Sequence, residues 1–100
     1  MQEQLNRYID EHFEELIRDT REFVSIESTL DETTVCEGAP FGTGIQRALS
    51  YALSKGQELG FEVKNYDGYA GTIQYGTEGK QAAILAHVDV VPAIGEWIVP

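Results

Sequence analysis

The stretch Ala82-Ala83-Ile84-Leu85-Ala86-His87-Val88-Asp89 sets the fold class of this chain. Its first five residues are continuously apolar, which is typical of a strand covered on both faces by other layers. Such strands occur in α/β domains, where ligands bind at the carboxyl ends of the strands. The stretch therefore predicts an α/β fold with a candidate site at the end of this strand.

His87 and Asp89 stand at that end, two residues apart, so on a strand their side chains would share one face. An imidazole beside a carboxylate is a common way to hold and orient a metal ligand. We take His87 as the candidate metal ligand and Asp89 as its orienting partner or as a further ligand. A purely structural pair is the alternative. A catalytic zinc site needs about three protein ligands, so others would have to come from elsewhere.

The composition narrows the classes of protein. The chain has 100 residues, 42% of them hydrophobic, which is enough for a core. Acidic residues outnumber basic ones 17 to 7, which argues against nucleic acid or an anionic membrane as partner. A single cysteine excludes a disulfide framework within the chain. No apolar leader or membrane-spanning run is visible, so we expect a cytoplasmic protein.

Two apolar stripes with helical spacing predict two helices. The first stripe predicts one long amphipathic helix over roughly residues 3 to 25. The second predicts a helix over about residues 43 to 59, ended by Gly60. The segment between them, residues 28 to 41, is rich in Ser, Thr, Gly and Pro and is expected to be a loop.

Three strands are expected after the second helix. Alternating residues on either side of Asp67-Gly68 predict a hairpin, and residues 82 to 86 predict the third strand. Two helices can cover one face of such a sheet and little more. We therefore expect an α/β domain that is incomplete within these 100 residues.

Other candidate motifs carry less chemistry. His12 lies on the apolar stripe of the first helix, where a half-buried structural role is expected. Gly42-Thr43-Gly44 precedes a helix but lacks the third glycine of a dinucleotide fingerprint, so a tight turn with a helix cap is favoured. Cys36 stands beside acidic Glu37, which disfavours a reactive thiolate, so a buried or idle thiol is expected.

The segment from Ala86 to Ala93, with Trp97 five residues after Pro92, resembles the first metal motif of the M20 metallopeptidases. Two further segments resemble the dipeptidase branch of that family typified by PepV-type dipeptidases of Gram-positive bacteria. They are Glu37-Gly38-Ala39-Pro40-Phe41-Gly42-Thr43-Gly44-Ile45 and Asn65-Tyr66-Asp67-Gly68-Tyr69-Ala70-Gly71. The resemblance extends from about Phe13 to Pro100.

The resemblance implies a dipeptidase whose active site holds two zinc ions, with manganese or cobalt as other options. It implies that His87 is a ligand of one metal and that Asp89 serves catalysis by holding the imidazole. Residues 1–100 would be the N-terminal portion of a zinc-peptidase-like three-layer α/β/α catalytic domain. The remaining ligands, the general base and the lid or dimerisation domain would lie outside this chain. The chain alone is therefore expected to be inactive toward its dipeptide substrate.

Two other functions stay open. An M20-type deacylase of N-acyl amino acids shares the His-x-Asp pattern, although the loop at 39–42 and the hairpin at 65–71 favour a dipeptidase. A small acidic α/β interaction module without chemistry is the alternative of another class. As part of a larger domain, these 100 residues would leave the third strand without the neighbours of the whole domain, and an exposed strand edge invites pairing with a second copy.

Overall fold

The computed structural model describes residues 1–95. Its elements are, in chain order, α1 (Gln2–Glu11), α2 (Phe13–Val24), a 3-10 helix (Glu32–Thr34), α3 (Thr43–Glu58), β1 (Glu62–Asn65) and β2 (Gly71–Gln74). This order confirms the α/β fold class, and the three-layer arrangement stays a prediction. Across this described part, no helix has the length and apolar character needed to cross a membrane. Trp97 of the resemblance lies outside the described residues.

The single helix predicted over residues 3 to 25 is wrong, because the structure breaks it at His12 into α1 and α2. His12 leaves the helical conformation, with φ −109° and ψ 13°. Its ring stacks on Tyr8 with centroids 4.0 Å apart, and its Nδ1 lies 2.8 Å from the Tyr8 carbonyl oxygen. The side chain thus competes for a carbonyl of the last turn of α1. The apolar stripe runs through this junction and does not reveal the break.

The second predicted helix is confirmed as α3, which carries most of the buried apolar side chains of the chain. Its buried face consists of Gly44, Ile45, Ala48, Leu49, Leu53 and Gly56. Gly60 follows with φ 90°, the left-handed conformation expected of a glycine that ends a helix. α3 contacts α2 as well as both strands, so it is the central element of the core.

The predicted hairpin is confirmed, with β1 and β2 antiparallel and Val63 opposite Ile73. Two glycines bring this hairpin close to α3. A Cβ atom at Gly56 would lie 2.9 Å from Ile73 Cγ2, and one at Gly71 would lie 2.8 Å from Leu53 Cδ2. Since both distances are shorter than ordinary van der Waals contacts, the absence of side chains at these positions sets the spacing between helix and hairpin.

The turn of the hairpin packs against the loop that precedes α3. Asp67 and Gly68 both have positive φ, 56° and 82°, as the Asp-Gly signal predicts. The Asn65 side chain accepts a hydrogen bond of 2.7 Å from the Gly68 N–H. A Cβ atom at Gly68 would collide with the Gly38 carbonyl oxygen and the ring of Pro40. The two segments that carry the family resemblance are therefore in direct contact.

The third strand predicted at residues 82 to 86 is wrong for this chain, since the sheet of the described residues has two strands. The segment has no regular secondary structure, and Ile84 and Leu85 are 96% and 95% exposed. A strand forms only when its N–H and C=O groups pair with a neighbour. From residue 76 to residue 95 the backbone makes one such bond, from Val90 N–H to the Ser28 carbonyl oxygen at 3.0 Å.

A polar cluster joins α2 to α3. The Tyr51 hydroxyl donates to the Asp19 carbonyl oxygen at 3.1 Å or to Glu22 Oε2 at 2.9 Å. Lys55 Nζ lies 3.3 Å from Asp19 Oδ1. Partial desolvation and the bond to Glu22 raise the pKa of Tyr51 above the usual 10.0. The hydrogen bond to Asp19 raises the pKa of Lys55 above the usual 10.5.

We expect Gly68→Ala to destabilise the protein more than Gly76→Ala. Both glycines have φ near 80°, so each substitution carries a similar left-handed strain of about 1–2 kcal/mol. Only Gly68 faces another backbone, whereas nothing lies within 4 Å of a Cβ atom at Gly76. Gly68→Ala should therefore lower the free energy of unfolding by about 1–3 kcal/mol more, measured by urea denaturation. Equal losses would show that the turn does not depend on this contact.

We expect the contact between α2 and α3 to weaken at alkaline pH. Because folding raises the pKa of Tyr51 and Lys55, both protonated forms are favoured in the folded state. Their contribution is full below about pH 10 and is lost as the pH rises through the raised pKa values. Melting temperatures from pH 8 to 11.5 should fall less steeply for Tyr51→Phe than for the exposed control Tyr75→Phe. Identical slopes would contradict this assignment.

Candidate functional site

The structure brings His87 and Asp89 into contact. His87 Nδ1 lies 3.3 Å from Asp89 Oδ1 and 3.0 Å from the Asp89 carbonyl oxygen. Both side chains are open to solvent, with 82% of His87 and 60% of Asp89 exposed. The two residues predicted from their spacing therefore meet, although the segment that carries them is not a strand in this chain.

This contact determines which nitrogen of His87 is left to bind a ligand. When Nδ1 carries the proton and donates to Asp89, the lone pair lies on Nε2. The hydrogen-bond acceptor is the Asp89 carbonyl oxygen at 3.0 Å, with the carboxylate 3.3 Å away. A carbonyl or carboxylate in this position fixes both the tautomer and the orientation of a metal-binding imidazole. This arrangement therefore fits one ligand position of a zinc site.

One ligand position does not make a complete metal site. Among residues 1–95 there is no group of three or more His, Cys, Asp or Glu side chains placed to hold a metal ion. A catalytic zinc ion takes about three protein ligands and a water molecule. His87 and Asp89 therefore need ligands from beyond the described residues to form a catalytic centre.

Two backbone contacts hold the segment that carries His87. Val90 N–H donates to the carbonyl oxygen of Ser28, and Ser28 is only 4% exposed. The preceding residue, Glu27, lies against the first turn of α3, where a Cβ atom at Gly44 would collide with the Glu27 carbonyl oxygen. The segment from Glu27 to Ser28 is thus held between α3 and the segment of His87.

A groove of about 1140 Å³ lies beside the pair and is lined by both His87 and Asp89. One wall is formed by α3 and the hairpin, and the other by residues 80 to 89. Much of the lining is apolar and includes Leu30, Phe41, Leu49, Leu53, Ile73 and Ile84. The groove therefore places an apolar surface next to the candidate ligand.

The other residues considered from the sequence have structural surroundings. His12 is half-buried, as expected, and its contacts are with Tyr8 at the junction of α1 and α2. Cys36 is exposed rather than buried and pairs with Ala39 in a tight turn. The Thr43 N–H is capped by the Thr34 hydroxyl at 3.0 Å, which supports the turn-and-cap interpretation of Gly42-Thr43-Gly44.

Ser28 and Gly44 are the residues near the site that sequence reasoning missed. Ser28 acts through its backbone carbonyl, and Gly44 acts through the absence of a side chain. Neither role requires a particular chemical group, so no motif marks them. The closeness of Gly44 to a loop at residues 27 and 28 becomes visible only once the chain is folded.

Comparison with known proteins gives relatives but no family model, since none matches this chain. A Bacillus subtilis (strain 168) protein named "Putative dipeptidase YtjP" is 48% identical over 84 residues, which are 84% of this chain and 18% of that protein. A Staphylococcus epidermidis protein named "Putative dipeptidase" is 38% identical over 87 residues, which are 87% of this chain and 19% of that protein.

A third relative, from Staphylococcus aureus (strain USA300), has a name that begins in the same way. It is 35% identical over 89 residues, which cover 89% of this chain and 19% of that protein. The similarity thus extends over most of the sequence described here. The chain spans about a fifth of the length of the curated relatives that it matches.

Proposed function

We propose that this chain is the amino-terminal part of the catalytic domain of an M20-type, PepV-like dipeptidase that uses zinc to hydrolyse unblocked dipeptides in the cytoplasm. One observation carries the proposal: a chain similar to proteins named dipeptidases holds an imidazole against a carboxylate, with His87 Nδ1 3.3 Å from Asp89 Oδ1. The arrangement suits a neutral histidine that binds a metal through Nε2.

His87 would bind one of two zinc ions, with manganese or cobalt as substitutes. The chemistry that such a pair supplies is a lower pKa for a water molecule and polarisation of the scissile carbonyl. Asp89 would accept a hydrogen bond from the Nδ1–H of the neutral ring, which leaves the Nε2 lone pair available to the metal. The apolar lining of the groove would offer an apolar surface to the substrate beside the site.

The isolated chain is proposed to be inactive. It provides one histidine ligand and its orienting carboxylate, whereas hydrolysis needs a general base and more ligands. Those groups would come from the other four fifths of a protein that is as long as the relatives. The dipeptide would be the only partner of the site.

The test uses the full-length protein, assayed with unblocked dipeptides and with N-acyl amino acids. We expect hydrolysis of dipeptides that a chelator abolishes and added zinc restores. His87→Ala should remove a ligand and nearly all activity. Asp89→Asn should reduce zinc affinity or activity by about 10- to 100-fold, because it alters the partner of the imidazole. His12→Ala is the matched control and should retain activity.

Three results would contradict the proposal. Hydrolysis of N-acyl amino acids alone would identify a deacylase. Full activity of the His87→Ala variant would remove this residue from the site. Absence of both zinc binding and hydrolysis in the wild-type protein would favour a non-catalytic interaction module.

We also propose that the 100-residue chain, expressed alone, self-associates through residues 82 to 86. Ile84 and Leu85 expose almost their whole side chains, and the segment's backbone lacks a partner strand in the described residues. An extended apolar segment of this kind pairs readily with another chain. Sedimentation velocity should show dimers or larger species that Ile84→Lys disperses. The control Ile94→Lys changes an equally exposed residue outside the segment and should not. A wild-type monomer at high concentration would refute this.

A further inference from the structure

We propose that Gly44 and the backbone of Glu27 and Ser28 are positioning elements that set the location of His87. They act through a continuous series of contacts from the first turn of α3 to the metal motif. This inference rests on the proposed function, since it assigns His87 a metal to bind.

The first contact joins α3 to the loop after α2. Gly44 is buried in the first turn of α3, and a Cβ atom there would collide with the carbonyl oxygen of Glu27 and lie 3.7 Å from Ser28 Cα. The colliding atoms are backbone atoms, which cannot rotate away as the end of a side chain can. Any larger residue at position 44 must therefore displace the Glu27 carbonyl group, which is bonded directly to Ser28.

The second contact joins that loop to the metal motif. Ser28 is buried, and its carbonyl oxygen accepts the Val90 N–H at 3.0 Å. Between residues 76 and 95 this is the one backbone hydrogen bond to the rest of the described chain. A displacement of Ser28 must therefore either carry Val90 with it or break the one backbone hydrogen bond that joins this segment to the other described residues.

The third step leads from Val90 to the imidazole. Val90 directly follows Asp89, whose carboxylate and carbonyl oxygens lie 3.3 and 3.0 Å from His87 Nδ1. The orientation of the ring thus depends on where the backbone of residues 87 to 90 lies. Gly44 and Ser28 do not touch the ring, so they act on it only through this backbone.

The experiment uses two pairs of variants of the full-length protein. Val90→Pro removes the N–H that donates to Ser28 at an exposed position, and Val91→Pro is its control one residue later. Gly44→Ala creates the collision with Glu27, and Ser54→Ala at an exposed position of the same helix is its control. Zinc affinity is measured by competition with a chelating dye. Hydrogen exchange of the Val90 amide and the melting temperature are measured on the zinc-free protein.

We expect Val90→Pro and Gly44→Ala to weaken zinc binding by about 10- to 100-fold, the range for changes outside the ligands themselves. Gly44→Ala should also speed exchange of the Val90 amide. The controls Val91→Pro and Ser54→Ala should bind zinc like the wild type. If Gly44→Ala does not fold, the comparison of zinc affinity between Val90→Pro and Val91→Pro tests the inference, since both substitutions are at exposed positions.

The inference would be overturned if Val90→Pro bound zinc as tightly as the wild type. It would also be overturned if Gly44→Ala lowered the melting temperature but left zinc affinity and Val90 amide exchange unchanged. Failure of the proposed function gives a different result. In that case the wild-type protein binds no zinc. The Val90 amide would still exchange more slowly in the wild type than in Gly44→Ala, which would show that the series of contacts exists.

Discussion

The close packing of α3 against its neighbours is the constraint on which this structure depends. Most of the buried apolar side chains lie on that helix, and α2, β1 and β2 all contact it. Glycines control the approach on two sides: Gly56 and Gly71 toward the hairpin, and Gly44 toward the loop at Glu27. Because these contacts leave no room for a Cβ atom, the spacing is set by glycine backbone packed against Ile73, Leu53 and Leu49 on the hairpin side, and against the Glu27 backbone on the loop side.

This constraint links the fold to the candidate site. His87 lies on a segment that one backbone hydrogen bond joins to the rest of residues 1–95, and the acceptor of that bond belongs to the loop packed against α3. The groove beside it is likewise bounded by α3 and the hairpin. The element that forms the core therefore also borders the loop that holds the segment of His87.

Local signals in the sequence predicted much of this fold. The stripe of α3, the glycine that ends it and the Asp67-Gly68 turn each depend on residues close together in the chain. The two failures lie where the apolar pattern is silent. At His12 the backbone leaves the helical conformation and the ring joins the backbone N–H at the Tyr8 carbonyl oxygen, which an apolar stripe does not register. The missing third strand reflects the need for a neighbour, which residues 82 to 86 cannot supply by themselves.

The site was predictable to the same extent. The i, i+2 spacing was interpreted as a shared face of a strand. The side chains of His87 and Asp89 do meet, but on a segment without regular secondary structure. The supports at Ser28 and Gly44 were not foreseeable, since they are backbone contacts between residues 16 to 62 positions apart.

The nearly complete exposure of Ile84 and Leu85 has a consequence for the order of events during synthesis. Protein chains begin to fold from the amino terminus while translation continues. A nascent chain of this length can already bury the face of α3, but in the described residues the segment of His87 still has no strand beside it. Under the proposed function, the helical core would fold before later residues complete the site. The interval between these two events is when a chaperone that binds extended apolar segments would engage this chain.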